Sequence, residues 1–103
     1  MKDKKLENFP YDLKYDIARF ILPRLELFYQ FVGTGKNQSV PSDLGLTLEE
    51  SQKKWVEILG KMKVPFEYLV FPEKFNNLTL EELESQREEG VKLFCQYFDS
   101  LWD

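Results

Sequence analysis

From Leu13 onward, apolar side chains return every three or four residues: Leu13, Ile17, Phe20, Ile21, Leu25, Phe28 and Phe31. That spacing predicts an amphipathic first helix whose apolar stripe faces a core. Leu22, Leu27 and Val32 widen the stripe, so the helix is apolar on more than one side. Residues 1–9 read as a frayed, charged lead-in, with Asp12 in the segment Phe9-Pro10-Tyr11-Asp12 as the N-cap. Pro23 lies inside the pattern. It removes one backbone bond and crowds the carbonyl of Arg19, yet the periodicity continues past it, which predicts a kink. A short break at Leu22 is the competing expectation. The stretch 33–46, Gly-Thr-Gly-Lys-Asn-Gln-Ser-Val-Pro-Ser-Asp-Leu-Gly-Leu, is rich in turn formers and reads as a long loop.

Thr47-Leu48-Glu49-Glu50 has the form of a capping box and opens a second helix. Its seam is Leu48, Trp55, Leu59, Met62 and Phe66, again with a proline inside, Pro65. Continuation through Glu67-Tyr68-Leu69-Val70-Phe71 keeps the seam in register, although Val64–Phe71 is also rich enough in β-branched and aromatic residues for a short extended piece. Residues 72–78 form a second loop. Thr79-Leu80-Glu81-Glu82 repeats the capping box and starts a third helix bearing Leu80, Leu83, Arg87, Gly90, Val91, Phe94, Tyr97, Phe98 and Leu101. Gly90 costs about 1 kcal/mol against Ala inside a helix, and its use is to let another helix approach closely. The repeat of Leu-Thr-Leu-Glu-Glu at 46–50 and 78–82 is two helix starts sharing one good cap, because Trp55 and Arg87 at equivalent later positions do not match. The fold expected is therefore all-α: one domain over residues 1–103, a small three-helix bundle with kinked first and second helices.

Composition adds stability and subtracts chemistry. Aromatics are 16% of the 103 residues, so a short chain has large side chains to bury. There is no histidine, which removes the commonest general base and metal ligand and excludes Ser-His-Asp and Cys-His arrangements. The single cysteine, Cys95, allows no internal disulfide and reads as a small buried apolar residue among Phe94, Tyr97 and Phe98. Gly33-Thr34-Gly35-Lys36 is not a phosphate loop: Asn37 stands where Ser or Thr is needed, Gln30 where the first glycine is needed, and no strand precedes it.

The net charge of −4 is unevenly placed, at +2 over residues 1–24, −1 over 25–72 and −5 over 73–103. An acidic end repels phosphate, so nucleic-acid binding is disfavoured. Glu81, Glu84 and Glu88, with the pair Glu82 and Glu89, line up along the third helix. Without Glu-x-x-His pairs they read as a solvated face rather than a metal site, so no cofactor or metal is expected. The same face could dock a basic protein or imitate nucleic-acid charge, and with Trp102 the acids Glu81, Glu84, Glu88 and Glu89 are the candidate partner-binding residues. Trp55 is expected in the core, and Trp102 is expected to seal the bundle end ahead of serving as an anchor. Phe9, Tyr11, Tyr15 and Tyr29 are a candidate sticky surface that would support a homodimer. No apolar run reaches the ~20 residues of a membrane span, and the polar start has no signal-peptide form, so a cytoplasmic setting is expected.

Four ordered blocks carry a resemblance. They are Asp16-Ile17-Ala18-Arg19-Phe20-Ile21-Leu22-Pro23-Arg24-Leu25, then Pro41-Ser42-Asp43-Leu44, then Trp55-Val56-Glu57-Ile58-Leu59-Gly60-Lys61-Met62, and a closing block from Gly90 through Leu93-Phe94, Tyr97-Phe98 and Leu101-Trp102-Asp103. Over roughly residues 9–103 the chain resembles small uncharacterised proteins encoded by tailed bacteriophages and prophages. The resemblance implies a phage-related origin and the bacterial host's cytoplasm, and it transfers no activity. The function expected is an accessory protein acting by protein–protein contact without catalysis, toward a host protein or itself. A nucleic-acid mimic or host-directed inhibitor is one alternative. A metal-dependent enzyme using carboxylates is another.

Overall fold

The computed structural model describes residues 2–37, 39–45 and 47–101, with side chains from Leu13 onward. Three helices dominate: α1 over Lys2–Gly33, α2 over Leu48–Val70 and α3 over Leu80–Gln96. Short 3-10 turns follow α2 and α3, at Pro72–Phe75 and Phe98–Ser100. No strand occurs among the described residues. The all-α three-helix reading stands. Helix α2 is the centrepiece, packing α1 on one side and α3 on the other. The breadth of 34 Å is close to three helix diameters, as this side-by-side order requires.

Local chemistry fixes most boundaries. Thr47 Oγ1 accepts from the Glu50 amide at 3.1 Å to open α2. At α3 the box is complete: Thr79 Oγ1 accepts from the Glu82 amide at 3.1 Å, and Glu82 Oε1 accepts from the Thr79 amide at 2.9 Å. The start of α1 differs from expectation. The helix spans Lys2–Gly33, so Asp12 lies inside it and not at its start. Lys2, Lys4, Lys5, Leu6 and Glu7 in the preceding segment are good helix formers, which favours helix over the cap signal at Asp12.

The prolines do not stop their helices. Pro23 is exposed, so water can serve the carbonyl it leaves unpaired. Pro65 is buried, and α2 runs on to Val70, where the Phe71 amide closes it by donating to the Glu67 carbonyl at 2.7 Å. The extended alternative for this stretch is thereby replaced by helix. Gly90 sits directly opposite Pro65. A methyl there would lie 2.4 Å from Pro65 Cδ and 2.6 Å from the Lys61 carbonyl oxygen. That carbonyl is the one Pro65, lacking an N–H, cannot serve. The close approach expected of Gly90 is thus at a proline.

The core is centred on α2. Trp55, Leu59 and Met62 are fully buried, joined by Val32 and Leu25 from α1 and Tyr97 after α3. Trp55 packs edge-on between Phe28, at 6.4 Å between ring centres, and Tyr97, at 5.7 Å. Phe66 and Phe94 make a second edge contact at 5.2 Å. The loop after α1 is tied down. Gly35, with φ of 76°, takes the left-handed turn after the helix, and its amide donates to the Val32 carbonyl at 3.0 Å. The Gln52 side-chain amide also donates to that carbonyl. Pro41 and Leu44 are buried, and Val40 packs on the core. The Tyr97 hydroxyl donates to Asp43 Oδ2 at 3.3 Å, linking the loop to the end of α3.

Candidate interaction surface

Helix α1 is apolar around more than half its circumference, and only one side is covered. The buried positions are Ala18, Leu22, Leu25 and Val32. Leu13, Ile17, Phe20 and Phe31, expected to face the core, are exposed, as is Leu27. Two interleaved seams, each with steps of three and four residues, lie about 100–140° apart on this helix, and either could have faced inward. The buried seam contains Ala18, whose small side chain lets α1 approach its neighbour. The exposed seam contains Arg24 in phase with Phe20 and Leu27. A charge in phase with a seam was the available signal that this side faces water.

Between α1 and the end of α3 lies an open groove of about 740 Å³. Ile17, Phe20 and Ile21 form one wall, and Phe94, Phe98 and Leu101 the other. Asp16 and Arg24 mark the rim. Helices α1 and α3 do not zip together here because both are docked to α2, so Phe20 and Phe98 stay exposed. Arg24 lies with its guanidinium 3.7 Å from the Phe20 ring centre and donates to the Phe20 carbonyl at 2.7 Å. A cation held over a ring in this way shields one face of it and leaves its edges free.

The acidic residues expected to bind a partner are distributed rather than convergent. Glu81, Glu84, Glu88 and Glu89 are all exposed on α3. Glu82 is occupied as the capping residue, and its hydrogen bonds from Thr79 hold its carboxyl below the ordinary range. Glu89 pairs with Lys61 at 3.4 Å, and this contact raises the lysine above its ordinary value. No ion pair among the described residues involves Glu81, Glu84 or Glu88. Among those residues, too, no group of three or more Cys, Asp or Glu side chains is placed to hold a metal.

Cys95 is exposed, against the expectation of a buried thiol. The inward row of α3 is Leu83, Gly90 and Phe94, continued by Tyr97, and Cys95 is one residue, or about 100°, off that row. Leu80, Val91 and Phe98 are exposed for the same reason, so the third seam is narrower than its sequence suggests. Trp55 occupies the core as expected, although its indole Nε1 has no hydrogen-bond partner among the described residues. Tyr15 and Tyr29 are only partly exposed, and Lys63 stands 4.1 Å from the centre of the Tyr29 ring. The large apolar side chains exposed on α1 are Leu13, Ile17, Phe20, Leu27 and Phe31. The side chains of Phe9 and Tyr11, and all of Trp102, lie outside the described residues. No helix among the described residues is long and apolar enough to cross a membrane. No known protein family, curated protein or solved structure matches this chain.

Proposed function

We propose that this chain is a non-catalytic accessory protein of the phage type that works by protein–protein contact in the cytoplasm of a bacterial host. The observation that carries the reading is the uncovered apolar side of α1 with its adjoining groove. A small domain with fully buried Trp55, Leu59 and Met62 has no packing need for exposed Phe20 and Phe98. Contiguous apolar surface of this kind is a feature of interaction sites. The absence of histidine from the sequence and the scatter of the α3 carboxylates favour binding over chemistry.

A second reading rests on Glu81, Glu84 and Glu88, which form an exposed acidic row at helical spacing. Such a row suits a basic partner, as in nucleic-acid mimicry. Capture from bacterial lysate separates the two. Wild type, a Phe98→Asp groove variant and a Glu81/Glu84/Glu88→Lys variant would be compared at equal loading and equal melting temperature. A partner lost only with Phe98→Asp supports the groove. A partner lost only with the lysine variant moves the site to the acidic row. Identical captured sets from all three would refute both surfaces.

A further inference from the structure

The exposed seam of α1 is Leu13, Ile17, Phe20, Arg24, Leu27 and Phe31. Its steps are 4, 3, 4, 3 and 4, the heptad repeat of a two-helix coiled coil rather than the drift of an isolated helix. The row is also symmetric about Leu22. Antiparallel pairing with an identical helix sets Leu13 against Phe31, Ile17 against Leu27, and Phe20 against Arg24. Every layer then joins an a-type to a d-type position, as antiparallel coiled coils require. We propose that the occupant of this face is a second copy of the chain, its α1 lying antiparallel across the first in a two-fold dimer.

Charge decides the direction. In a parallel pair Arg24 would meet its own copy in the middle of an apolar seam. In the antiparallel pair it meets Phe20, the ring type it already covers within its own helix. Of the charges bordering the seam, Asp16 and Arg19 neutralise each other at 3.2 Å. The area is also adequate. The five apolar side chains keep between 39% and 67% of their surface free. With Phe20 and Phe31 presenting ~200 Å² and the three aliphatic side chains less, that is roughly 75–100 Å² each, and so about 750–1,000 Å² over both copies. Phe98, beside Ile17 and Phe20 across the groove, adds to this. Such an interface is at the small end of specific ones, the size class of weak, concentration-dependent association.

This inference rests on the interaction reading above and names the partner for one face of it. Sedimentation equilibrium from about 5 to about 500 µM tests it, a range in which weak dimers form and dissociate. Wild type is expected to pass from monomer to dimer. A Phe20→Ser/Leu27→Ser variant is expected to stay monomeric with its low-concentration melting temperature unchanged, since both side chains are exposed. Wild type monomeric throughout, or a variant that still dimerises, overturns the proposal. A monomer that nevertheless captures a different protein through Phe98 would leave the broader reading standing. Direction is tested in a Cys95→Ser background by mixing Ile17→Cys and Leu27→Cys chains under mild oxidation. Mixed disulfides are expected to dominate, and a predominance of like-with-like disulfides overturns the antiparallel arrangement.

Discussion

Replacing Gly90 with alanine should destabilise the protein even though alanine is the better helix former. Relief of the glycine penalty in a helix interior favours the variant by about 1 kcal/mol. Against it stands the space. The new methyl would lie 2.4 Å from Pro65 Cδ and 2.6 Å from the Lys61 carbonyl oxygen, where ordinary carbon contacts are ~3.5–4.0 Å. Neither neighbour can swing aside, because one is a ring closed on the backbone and the other is the backbone itself. The remedy is to move α3 away from α2 by about 1 Å, which loosens the Phe66–Phe94 contact. Overpacking of this kind costs about 1–3 kcal/mol, and two rigid clashes place it at or above the upper end. A net loss of about 2 kcal/mol is expected, or a fall in Tm of roughly 10 °C for a domain of this size. The assay is urea and thermal unfolding followed by circular dichroism at the helix band and by tryptophan fluorescence. Gly60→Ala is the internal control, because its methyl would meet only the Tyr29 ring edge at 3.4 Å. It should be neutral or stabilising. A Gly90→Ala protein as stable as wild type would refute the argument that the α2–α3 approach depends on a missing side chain.

Three further substitutions probe other parts of the structure. Leu59→Ala removes a fully buried side chain and should cost about 2–5 kcal/mol in urea unfolding, with the residual cavity setting the value. Thr79→Ala deletes the hydroxyl that accepts from the Glu82 amide and should cost about 1 kcal/mol, visible as a lower urea midpoint with unchanged m-value. Glu26→Gln tests the pair formed by Lys63 Nζ and Glu26 Oε1 at 2.6 Å. The Lys63 hydrogen bond holds the Glu26 carboxyl below its ordinary value, outweighing desolvation. A depressed carboxyl stabilises the fold above its unfolded pKa, about 4.3, and that contribution is lost as pH falls through the folded value. Stability measured from pH 7 to pH 3 should therefore fall less steeply in the variant, with a difference of about 0.5–1 kcal/mol at neutral pH for a partly exposed pair.

The sequence displayed the elements of this fold more clearly than their orientation. Thr47 and Thr79 mark their helix starts because capping is local chemistry, settled within four residues. Trp55, Leu59 and Met62 identify the α2 core because α2 is buried on both sides, so a modest error in phase still lands inside. Helix α1 is different. Among the described residues its extensive helix contact is with α2, and its two apolar seams compete for that contact. The choice between them depends on the shape of α2, which no local pattern contains. Cys95 illustrates the same point on α3, where a shift of one residue separates the inward row from water. The groove between Phe20 and Phe98 was not legible, because its walls come from opposite ends of the chain and meet only through their shared attachment to α2.

The tethered connection between α1 and α2 implies an order of assembly. Asp43 and the Tyr97 hydroxyl are 54 positions apart, so their contact requires the closing of a large chain loop. Each helix pair that precedes it joins sequence neighbours and closes a shorter one. The phenol therefore finds its acceptor only after the connecting segment has been laid against the α1–α2 pair. Trp55 lies beneath that junction, in edge contact with Tyr97. Its indole emission should thus report the final latching of the carboxy-terminal helix, while the helix band of the spectrum has already reached most of its native amplitude.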